Sequence, residues 1–128
     1  MIALSLATRI AGLLDARGQP WQPRSGDRFV FPDRDLDQVF VISEMTIEVV
    51  DLPTGRLIRF NGTTEWALDS TPAADVVWLP LEHQLRELVG DRFVALARVP
   101  EGWAVTLADG SRHVADDPED AYALALLA

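Results

Sequence analysis

The chain has 128 residues, with 20 acidic and 11 basic side chains, a formal net charge of −9 and no cysteine. Without cysteine, thiol nucleophiles, disulfides, iron–sulfur clusters and thiolate zinc sites are excluded, and the acidic balance opposes phosphate backbones and anionic lipid, making nucleic acid and membrane poor partners. A hydrophobic fraction of 48% suffices for the packed core of one ordinary domain over 1–128, with 72–78 as the place where it would subdivide.

The start, MIALSLATRIAGLL, is apolar but lacks a basic leader region and is interrupted by Arg9. No apolar run approaches the ~18 residues of a membrane span, so a cytoplasmic location is expected. Ile2, Leu6, Ile10, Leu13 and Leu14 recur at helical spacing, and Arg17, Gly18 and Pro20 close the segment, which predicts a helix over about 2–17. Trp21 to Asp27 is turn-rich. Phe29 to Phe31 forms a short apolar stretch stopped by Pro32.

From Val39 the pattern becomes extended, with strands expected over Val39–Ile42, 46–51, 56–60 and 63–68. The last three form an antiparallel meander, turned by Pro53-Thr54-Gly55 and by Asn61-Gly62, a type I′ hairpin signal. Ser70 to Ala74 reads as a loop and Val76 to Leu79 as a short apolar run. Pro80 is expected to open a second helix carrying a stripe of Leu81, Leu85, Leu88 and Val89, with Gly90 after its end. Strands over 93–99, 103–108 and 111–115 follow, joined by Pro100-Glu101-Gly102 and a type I′ turn at Asp109-Gly110. A third helix begins with Asp117 as N-cap, Pro118 at the first position and Glu119 and Asp120 on the positive end of its dipole. Its body, AYALALLA, is apolar nearly all round, so either two sides of the domain or a partner must cover Tyr122, Leu124, Leu126 and Leu127. The resulting class is α+β: helix, antiparallel β-meander, helix, three-stranded antiparallel meander, C-terminal helix, on two small sheets or one continuous one.

Few constellations carry chemistry. Asp33, Asp35, Asp37 and Glu44 reproduce four ligand spacings of an EF-hand calcium loop, but Gln38 stands where the loop needs glycine, and Val39 to Ile42 read as a strand. An acidic solvated turn is the simpler expectation, and these four are the only candidate metal ligands. Glu44, Glu48 and Glu65 are the carboxylates that a small carboxylate- or metal-dependent enzyme would use. His83 and His113 read as surface residues, the serines lack a nucleophile elbow, and no glycine-rich phosphate loop is present. No catalytic residue and no cofactor is therefore expected. Among the tryptophans, Trp66 and Trp78 flank the 70–75 segment and, with Tyr122 and Leu126, are the candidate partner-binding residues.

Two resemblances attach to these motifs. GDRFVFPDRDLDQVFVISEMTIEV, FNGTTEWALDS, WLPLEHQLRELVGDRFVAL and DDPEDAYALALL resemble a family of small uncharacterised actinobacterial proteins, some of whose members are labelled pilus assembly protein CpaE. That label implies a ParA-like ATPase with a Walker loop, which is not found here. Residues 93–127 are similar to the C-terminal layout of HicB-like antitoxins. With the helix at 80–89 their order is also that of double-stranded-RNA-binding domains, although Asp116, Asp117, Glu119 and Asp120 stand where basic residues would meet phosphate.

The leading expectation is a non-enzymatic interaction or accessory protein that self-associates, through the last helix or a neighbouring sheet edge, or binds a protein partner. The alternatives are the small enzyme and an antitoxin-like protein masking a basic partner.

Overall fold

The computed structural model describes residues 1–32, 38–43, 47–60 and 70–128, with only the backbone described for Ile47, Glu48, Phe60, Ser70 and Thr71. The fold is α+β, with helices and antiparallel sheets in the order helix, strands, helix, strands, helix. It comprises two compact units, Met1–Pro20 with Leu79–Ala128, and Trp21–Trp78. The described strands form three three-stranded sheets, where two sheets or one were expected.

The first unit begins with α1 (Leu4–Ala16), which buries Ala7, Ile10 and Leu14 at three- and four-residue spacing. Its end is built as the sequence predicts. Gly18 takes φ +69, its N–H donates to the Asp15 carbonyl, and Gln19 N–H donates to the Leu14 carbonyl at 2.9 Å, the paired bonds of a Schellman ending. The second helix, α2 (Glu82–Val89), starts two residues after Pro80, which was expected to open it. Leu81 is still extended, and its N–H donates to Gln84 Oε1 at 2.8 Å; that side-chain acceptor satisfies an orphan N–H and places the helix start.

The sheet of this unit is a meander of β7 (Phe93–Val99), β8 (Gly102–Leu107) and β9 (Arg112–Ala115), in that spatial order. Gly102 must be glycine, since its φ is +130 and an added Cβ would meet the Ala115 carbonyl oxygen. The β8–β9 turn differs from expectation. Gly110 N–H bonds the Leu107 carbonyl, which centres the turn on Ala108-Asp109 and leaves Gly110, at φ +86, as the left-handed residue after it. The loop is thus the three-residue kind and not a two-residue type I′ hairpin.

Helix α3 (Pro118–Leu127) packs on β8 and β9 and against α1 and α2. Ala121, Ala123 and Ala125 are each 0% exposed. Their small side chains allow close approach on several sides, which explains how a helix without a polar face is covered by its own chain.

The second unit contains β1 (Arg28–Val30), β2 (Phe40–Val41), β3 (Ile47–Leu52), β4 (Gly55–Phe60), β5 (Ser70–Pro72) and the start of β6 (Val77–Leu79). Two sheets, β2-β1-β6 and β3-β4-β5, share a core of Phe29, Ile42, Ile58 and Val76. The hairpin through Pro53-Thr54 forms as expected, with Leu52 paired to Gly55. The strand expected over 63–68 and the Asn61-Gly62 turn lie outside the described residues. Ser70–Pro72, expected as loop, is a strand paired with Leu57 to Arg59, followed by a 3-10 turn over Ala73–Asp75. Ser-Thr-Pro has little strand signal of its own; the neighbouring β4 supplies the ladder, and Pro72, lacking an N–H, sits at its end.

Candidate functional site

Asp33, Asp35, Asp37, Glu44, Glu65 and Trp66 lie outside the described residues, and Glu48 is described only as a backbone position of β3. Among the described residues no group of three or more histidines and carboxylates is placed to hold a metal ion. The partner-facing reading of the last helix is corrected: Tyr122 is 1% exposed and Leu126 2%, so both are core residues, because α1, α2 and the sheet enclose α3. Burial pushes the Tyr122 phenol above its ordinary value, with Glu82 adding to the rise and Arg86 opposing it. The tyrosine ring also lies 5.5 Å from that of Phe93.

Trp78 is half-buried, at one end of an aromatic group centred on Phe29 that the spacing of its members does not reveal. It stacks on Trp21 with ring centroids 6.0 Å apart and an interplanar angle of 4°; Trp21 touches Phe29 at 6.3 Å, and Phe29 packs with Phe31 and Phe40. Beside the rings is Asp27, 4% exposed and the only buried charged residue among those described. Its Oδ2 accepts from Trp21 Nε1 at 2.9 Å and from Arg24 N–H at 3.1 Å, and its backbone carbonyl accepts from Ile42 N–H at 2.8 Å, just past the end of β2. The carboxylate is committed to closing the WQPRSGD turn, so it is poorly placed as a general base. The signal for it was the Asp that ends this turn-rich run just before the apolar stretch.

The acidic start of α3 has two roles. Asp117 Oδ1 caps the helix by accepting from Glu119 N–H at 2.9 Å, as the sequence predicts. The cluster also holds the beginning of the chain: the Met1 ammonium donates to Asp117 Oδ2 at 2.9 Å, Ile2 N–H to Glu119 Oε2 at 2.8 Å and Ala3 N–H to Asp120 Oδ1 at 2.7 Å. Helix α1 has alanine at its N-cap and no acid in its first turn, so carboxylates from the far end of the sequence complement the start of α1. Partial burial acts to raise the Asp117 carboxyl, but the hydrogen bonds from the Met1 ammonium and Glu119 outweigh it and hold the group below its ordinary value.

One further constellation was not singled out from the sequence. In the β8–β9 hairpin Ser111 Oγ lies 3.1 Å from His113 Nε2, and Asp109 Oδ1 accepts from Ser111 N–H at 2.8 Å. Hydrogen bonds from the Ser111 side chain and backbone hold the Asp109 carboxyl below its ordinary value. Ser111 thus bonds both Asp109 and His113 and ties the two sides of the hairpin turn together.

The largest exposed apolar side chain of the first unit's sheet is Val94, 59% exposed on β7. Comparison with protein-family models, curated proteins and solved structures finds no match.

Proposed function

We propose that this is a non-enzymatic interaction protein that self-associates by pairing the outer edge of β7 with the same edge of a second copy. The observation that carries the reading is the position and composition of β7. It is the outer strand of β7-β8-β9, seven residues long, with sequence FVALARV, one charge and no proline. An edge of this kind presents a row of backbone N–H and C=O groups to another strand. Helix α3 packs over β8 and β9, and the side chains of Val94, Ala95 and Ala97 are exposed.

A register shift between Phe93 and Ala95 turns Val94 outward, and the guanidinium of Arg98 lies 5.8 Å from the Trp103 ring centroid, which accommodates the strand's one charge locally. The net charge of −9 works against association at long range, but the acidic residues are not on β7, so added salt should strengthen the pairing. Antiparallel pairing of one edge with itself closes on two copies and leaves neither β7 free.

Light scattering and sedimentation up to high micromolar concentration test the reading. The expected result is a dimer whose dissociation constant rises at least about tenfold in Val94→Glu, because a charged side chain then replaces the exposed apolar one on the paired edge, with the melting temperature of the dilute monomer unchanged. A monomer throughout the range, or a dimer indifferent to Val94→Glu, overturns it.

A further inference from the structure

The second unit is inserted into the sequence of the first, so the chain leaves one unit and returns to it at two places. Those places are Pro20–Trp21 and Trp78–Leu79. The first and last residues of the inserted unit are thus both tryptophans, and their indoles lie parallel, 6.0 Å apart and within 4°. The two chain crossings are held to each other by this ring stack and by the pairing of β6, which contains Trp78, with β1.

Each ring is held differently. The Trp21 indole N–H donates to the buried carboxylate of Asp27 at 2.9 Å, and Asp27 also fixes Arg24 N–H, so Trp21 is tied to the turn that enters β1. The buried Nε1 of Trp78 has no hydrogen-bond partner among the described residues, so its hold on Trp21 is the ring contact itself. The first unit needs neither. Its two sequence segments are joined by packing of α1 on α3 and by the bonds from Ile2 and Ala3 to Glu119 and Asp120.

We infer that the Trp21–Trp78 stack is a clasp, and that Trp21–Trp78 opens as one cooperative body while the first unit stays folded. Closing the stack, together with the β1–β6 ladder, joins the two ends of a 58-residue insertion (78 − 21 + 1) and so lowers the loop-closure entropy left for the sheets of the insertion to overcome. Segments whose contacts are internal open together as sub-global units. Here the clasp sets how often this one does.

Hydrogen exchange on the full-length chain, read by mass spectrometry, tests this. In the native protein at low denaturant, amides of β1, β3 and β4 should share one opening reaction and exchange faster than those of α1, β8 and α3. Trp78→Ala should speed exchange in β1, β3 and β4 at least about tenfold and leave α3 unchanged. Trp78→Phe keeps a ring for Trp21 and gives up no hydrogen bond, so it should stay within about threefold of the native rates. Equal acceleration of α3 in Trp78→Ala, no acceleration anywhere, or Trp78→Phe behaving as Trp78→Ala overturns the clasp. If Trp78→Ala does not fold, the native protein decides, because a single opening reaction shared by β1 and α3 is equally fatal to the proposal.

Discussion

The two units solve the same problem by different means. The first packs two helices and a meander around a third helix, α3, and its polar anchors are carboxylates that reach across the whole sequence to the backbone of Ile2 and Ala3. The second has no helix longer than a 3-10 turn among its described residues. It gathers Trp21, Phe29, Phe31, Phe40 and Trp78 around two sheets, with Asp27 as the buried polar anchor. In the first unit the alanines of α3 let neighbours approach closely among larger buried side chains such as Ile10, Leu85, Tyr122 and Leu126, so a change of volume or charge there is felt on several sides; a core of aromatic rings concentrates its stabilisation in a few large contacts. Damage should therefore spread in the first unit and stay local in the second.

The largest effect is expected at Leu126, which is 2% exposed at the centre of the first unit. Leu126→Glu places an unpaired carboxylate there and should cost more than about 4 kcal/mol, lowering the urea midpoint enough to leave little folded protein. A folded Leu126→Glu variant with altered association would restore the last helix as an interface and break the contrast.

Next is Phe29→Ala in the second unit, where a ring that is 0% exposed meets three other aromatics. A loss of about 3–5 kcal/mol is expected. The comparison is sharpened by where it falls: exchange protection of β1 and β4 should vanish while Tyr122, the only tyrosine, still ionises only above the ordinary phenol range in an alkaline absorbance titration. Simultaneous exposure of Tyr122 would show one cooperative body instead of two.

The smallest effect is at the polar anchor of the first unit. Asp117→Ala removes the α3 cap and the partner of the Met1 ammonium, and should cost about 1 kcal/mol at neutral pH. The sign of its acid dependence follows from the lowered carboxyl. A group whose folded value lies below its unfolded value contributes fully above the unfolded value and loses that contribution as pH falls through the folded one. The gap in urea midpoint between Asp117→Ala and the native chain should thus be constant near neutrality and close under strong acid; a gap that widens on acidification would refute this role.

Legibility also differs between the units. In the first, Gly18, Gly90, Asp117-Pro118 and the strand pattern from Phe93 to Ala115 are local signals, each acting within a turn of the chain, and the helices and strands fall close to where those signals place them. In the second, Ile58 and not Leu57 is the core residue of β4. Alternating apolar positions alone could not choose between them, because the inward face is decided by which neighbour lies across it. Ser70–Pro72 became a strand for the same reason. The candidate site was read least well. Tyr122 and Leu126 looked like an interface because an all-apolar helix declares only that it must be covered.

Sequence alone determined the class, the order of elements, the capping of α3 and the chemistries that cysteine-free composition forbids, since these follow from residue type and short-range spacing. Tertiary structure alone decided that α3 is enclosed by its own chain, that the acidic run from Asp116 to Asp120 also holds the first three residues, and that Trp21 and Trp78 meet. The last two depend on groups more than fifty positions apart (78 − 21 for the tryptophans), and no local propensity encodes which distant partner will satisfy a carboxylate or cover a ring.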